Sequence, residues 1–85
     1  MWIRYARPHE GDPLGRDDWF TMRSEDGTDG RVTLVLVDWV AGDRPDVTRL
    51  EMAREAAIEM TEETGAALLS EGWKMDAPPN LYRPW

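Results

Sequence analysis

The amino-acid sequence predicts an α+β domain. A three-stranded antiparallel sheet, four-stranded if the segment after the helix joins it, packs on one long amphipathic C-terminal helix. Two observations carry that expectation. β-branched and aromatic runs at residues 18–23 and 31–40 flank a segment, Ser24 to Gly30, that holds two Asp-Gly turn signals. Farther along, apolar residues from Val47 to Leu68 recur at helical spacing.

The elements follow in order. Trp2 to Ala6 alternates bulky and polar residues and predicts a first strand, ended by Pro8, which has no N–H for a ladder. His9 to Arg16 carries Gly11, Pro13 and Gly15 among charges and predicts a loop. The two runs around the Asp-Gly turns predict a hairpin. In its second strand Val32, Leu34 and Leu36 share one face, and Val35, Val37 and Trp39 share the other, because strand side chains alternate. Both faces are apolar, so one helix leaves a face to be closed by the terminal segments or by a partner.

After the connector Ala41 to Asp46, Thr48 and Glu51 have the spacing of a capping box, with Val47 and Met52 placed as a hydrophobic staple. These signals predict a helix from Thr48. Its apolar arc comprises Val47, Leu50, Ala53, Ala57, Ile58, Met60, Thr64, Ala67 and Leu68, with a bend or pause at Gly65 and an end before Gly72. Trp73 to Asp76 reads as a short final strand or as a segment packed across the sheet, and Pro78 and Pro79 then forbid regular structure. The expected organisation is one domain over residues 1–76 and an extended proline-rich tail over 77–85.

A chain of 85 residues buries roughly 60–65% of its unfolded surface, so its core is thin. Five tryptophans offset this, and Trp19, Trp39 and Trp73 are expected in the core. The absence of cysteine excludes disulfides and thiolate metal sites. The N-terminal residues lack the apolar stretch of a signal peptide, which predicts a cytoplasmic protein. A net charge of −7 argues against direct binding to nucleic acid or an anionic membrane and favours a protein partner with a basic surface.

No catalytic constellation is evident. His9 is the sole imidazole, and neither Ser24 nor Ser70 stands in a nucleophile-elbow context. The neighbours Asp17 and Asp18, like Glu62 and Glu63, point in different directions on a strand or helix and form no ready acid and base couple. The turn Asp26 to Gly30 lacks the spaced ligands of a calcium loop. No glycine-rich phosphate loop precedes a helix. Neither cofactor nor metal nor enzymatic activity is expected.

Surface charge offers the clearest candidate site. Glu51, Glu55, Glu59 and Glu63 recur at i, i+4 with Glu62 beside them, and such like-charge pairs each cost about 0.2–0.5 kcal/mol in an isolated helix. Together with the acidic turn residues Glu25, Asp26 and Asp29, they predict a partner-binding acidic face. The expected function is that of a small non-catalytic inhibitor, encoded by a phage or mobile element, which occupies a partner's nucleic-acid-binding surface by mimicking DNA. The alternative is an antitoxin, immunity or structural module that uses Val35, Val37 and Trp39 for homodimerisation or partner docking.

Overall fold

In the computed structural model, which describes residues 1–77, the three predicted strands form; the first two run past their expected ends and the third stops one residue short of Val40. They are β1 (Trp2–Pro8), β2 (Asp17–Asp26) and β3 (Arg31–Trp39). The β2–β3 turn is closed by Asp29 and Gly30, both in the left-handed region at φ 57° and 73°. Asn, Asp and Gly tolerate this conformation, which accounts for the Asp-Gly signal. Pro8 ends β1 as its last residue, opposite Asp17.

The expected helix start at Thr48 is corrected. Asp46–Ala53 is a fourth strand, β4, paired antiparallel to β3 in unbroken register from Asp38↔Asp46 to Arg31↔Ala53. Local capping chemistry lost to pairing: an eight-residue ladder against a strand apolar on both faces outweighs a box worth about 1 kcal/mol. Leu50 and Met52 turn toward the helix, while Arg49 and Glu51 turn away. Glu51 therefore lies on a strand and not on the helix.

The helix α1 spans Arg54–Ser70, and its first turn follows Ala53 with no side-chain cap. A further strand, β5 (Lys74–Ala77), follows it and pairs antiparallel with β1. The sheet thus has five strands in the order β4-β3-β2-β1-β5, larger than expected, and the helix is shorter and internal. Because its two flanking strands occupy opposite edges, α1 must cross the sheet. Seventeen residues give it about 25 Å, enough for a sheet about 19 Å wide.

The helix meets the sheet through a narrow seam of small residues, Ala57, Thr61 and Gly65, all buried. Thr61 satisfies its buried hydroxyl by donating to the Ala57 carbonyl at 2.8 Å. No pause occurs at Gly65, which lies directly over the Tyr5 hydroxyl, where a Cβ would collide. Gly72, at φ 94°, ends the helix as expected. The N–H of Trp73 donates to Leu68 O at 3.0 Å and that of Gly72 to Leu69 O at 3.2 Å, a Schellman pair.

Ile3, Tyr5, Met22 and Trp73 form the centre of the core, with Phe20, Leu36 and Leu68 packed against it. Each such fully buried side chain contributes about 1.5–3 kcal/mol. Among the described residues no helix is long and apolar enough to cross a membrane. The tail expected over 77–85 lies, beyond Ala77, outside the described residues, as does any closing of the open sheet face by that segment.

Candidate functional site

Register places three cross-strand rows on the sheet face that α1 does not cover. Trp2, Arg23, Val35 and Arg49 form one row; Arg4, Thr21, Val37 and Val47 the next; Ala6, Trp19 and Trp39 the third. Trp2, Trp19 and Val47 are 42%, 41% and 52% exposed. Trp19, expected in the core, is corrected to this surface; Trp39 is half-buried beside it and Trp73 alone of the three is buried.

The aromatic side chains are held in place by an arginine. The Arg4 guanidinium lies 5.0 Å from the Trp19 ring centroid and 5.8 Å from that of Trp2, and it forms an ion pair with Asp76 on β5. Trp19 and Trp39 pack tilted at 5.2 Å, and Trp39 Nε1 donates to the Asp43 carbonyl at 2.8 Å. Cation–π contacts of this kind contribute about 0.5–1 kcal/mol each at exposed sites and fix the ring planes. Two tryptophans and an arginine are thus displayed together, with Arg4 Nε buried and unpaired among the described residues.

Of the three apolar residues expected on this face, Val35 is only 1% exposed. Arg23 and Arg49 flank it in register, and Glu25 joins both at 3.2 and 3.3 Å, so the arginine stems cover it. Val37 and Trp39 remain half-buried within the patch. Sequence reasoning missed Trp2, Trp19 and Val47. The alternation of Trp2, Arg4 and Ala6 was a usable signal, but the face it indicates follows only once pairing is known.

The acidic residues do not form one stripe. Glu51 is paired with Arg31 on the open sheet face at 3.0 Å, and Glu25 is held by Arg23 and Arg49. Glu55, Glu59, Glu62 and Glu63 are exposed on α1, and none makes an ion pair among the described residues. Asp26 and Asp29 are exposed at the β2–β3 turn, the end of the sheet where α1 begins.

His9 is more constrained than a solvated loop residue. Its Nδ1 lies 2.9 Å from Oδ1 of buried Asp18, which also accepts from the Ala41 N–H at 3.0 Å and from Arg7 Nε at 3.4 Å. Burial pushes the Asp18 carboxyl up, but these three donors outweigh it and hold the group below the usual carboxylate range. Arg7 in turn stacks on Trp73 at 4.4 Å. The open cleft beside them, about 470 Å³, is lined by Arg7, His9, Glu10, Val40 and Glu71 with Pro8 and Asp18, none of them a hydroxyl or thiol nucleophile. The dyad orients an imidazole and ties the first loop to Ala41. Among the described residues no cluster of three or more potential ligands could hold a metal ion.

Comparison with known proteins finds no matching family model, no matching curated protein and no matching solved structure.

Proposed function

We propose that the protein is a non-catalytic binding module whose recognition surface is the open face of the sheet. The observation that carries this reading is the display of Trp2, Trp19 and Val47 on one face, with the Arg4 guanidinium against both rings. Large exposed rings beside an arginine are the composition of interface hot spots, and a surface held rigid before binding loses little entropy on docking. The partner of such a face is a protein, bound mainly through apolar contact and insensitive to salt.

A second reading retains the acidic surface as a DNA mimic that occupies a basic site on its partner. It is favoured by Glu55, Glu59, Glu62 and Glu63, which are exposed at helical spacing without internal cations. Salt screens such an interaction strongly. One affinity-capture experiment at low and high salt separates the two, with Trp19→Asp/Val47→Asp and Glu55→Lys/Glu59→Lys as parallel baits. A partner kept at high salt and lost only with the first bait supports the open face. Loss confined to the second bait and to high salt supports the acidic surface, and a partner kept by both baits overturns both readings.

A further inference from the structure

The two edges of the sheet are treated differently. β5 is four residues long and is irregular against β1, with a register shift between Arg4 and Tyr5, so it offers little template for another strand. β4 is eight residues long, regular, free of proline, and has no neighbour on its outer side among the described residues. A long edge of that kind is a template for strand addition unless its side chains forbid it.

Here the side chains select one occupant. Two copies of β4 can pair antiparallel about a twofold axis, and only registers that place like faces together are allowed. Centring the axis on Arg49 or Glu51 sets each charge against itself. Centring it on Leu50 sets Arg49 of one copy opposite Glu51 of the other, twice, with Thr48 opposite Met52 and Val47 opposite Ala53.

We propose that β4 is a self-pairing edge and that two copies of this chain join their sheets through it, centred on Leu50, into one ten-stranded sheet. This goes beyond the binding reading above and does not depend on it. The charges involved are available: the Arg49 side chain is 55% exposed and that of Glu51 67%. Each already has one internal partner, Glu25 and Arg31, so pairing completes an alternating row, Glu25–Arg49–Glu51–Arg31, that runs across the joint from one copy to the other. Val47, half-exposed in the isolated chain, gains a neighbour.

The test is sedimentation velocity on the full chain with Arg49→Glu, Glu51→Arg and the double exchange, each checked for folding by circular dichroism. The wild type is expected to be dimeric. Each single reversal places two like-charge pairs across the joint and weakens dimerisation about tenfold. The double exchange restores the dimer although both internal pairs stay reversed, so recovery can come only from the contact between copies. Hydrogen exchange on the wild type at two concentrations is the second measurement, and β4 amides should gain protection at the higher one. A wild type that stays monomeric, single reversals that dimerise as tightly as wild type, a double exchange no better than the singles, or β4 amides indifferent to concentration would overturn the proposal. Trp19→Asp, by contrast, should leave the dimer intact.

Discussion

Tyr5 and Gly65 are sixty residues apart in the chain, yet the distance between α1 and the sheet is set where they touch. A methyl group at position 65 would collide with the Tyr5 hydroxyl and lie 3.3 Å from its Cζ, although alanine is the better helix former by about 1 kcal/mol. Overpacking costs about 1–3 kcal/mol, so Gly65→Ala should lower stability by about 1 kcal/mol net in urea unfolding. In a Tyr5→Phe background the hydroxyl is gone and the same substitution should become nearly neutral. An equal loss in both backgrounds would place the cost elsewhere. Glycine inside a helical pattern suggested a bend from sequence, because its need for space against a strand residue is a tertiary fact that no local pattern encodes.

Strands β1 to β3 were legible because β-branched and aromatic runs, Asp-Gly turns and Pro8 all agree. β4 was not, since Thr48 and Glu51 imitate a helix start and Val47 and Leu50 fit one helical arc, whereas on a strand they fall on opposite faces. What decided it was the ladder on β3, which a linear reading does not contain. Of the candidate surfaces, the helix glutamates from Glu55 to Glu63 could be read directly, whereas the positions of Trp2 and Trp19 required the register. The true helix start supplies a test at this scale. Ala53 has the extended backbone of a cap (φ −63°, ψ 149°) but no side-chain oxygen to accept from the N–H groups of the first turn. Ala53→Ser should stabilise the protein by about 0.5–1 kcal/mol in thermal or urea melts. If residue 53 were inside a helix begun at Thr48, the same change would destabilise it.

The whole molecule depends on buried or bonded carboxylates at the end of the sheet opposite the β2–β3 turn. Hydrogen bonds from Arg16 hold Asp12 at about 2 against an ordinary 3.8, and Asp18 is also lowered in the folded state. Both are depressed on folding, so the stability they contribute is full above the unfolded value and drains away as pH falls toward the folded one. Urea midpoints measured from about pH 5 down to about pH 2.5 should fall steeply below about pH 4, and Asp12→Asn should flatten part of that descent. A midpoint unchanged across the range would contradict the pairing of these groups. The placement of the central core cluster also matters at this scale. With α1, Ile3, Tyr5, Met22 and Trp73 on one side and Val35 buried on the other, replacing Trp2, Trp19 or Val47 leaves the central core cluster untouched. Selection, or a designer, can therefore rewrite what this protein recognises while its architecture stays fixed.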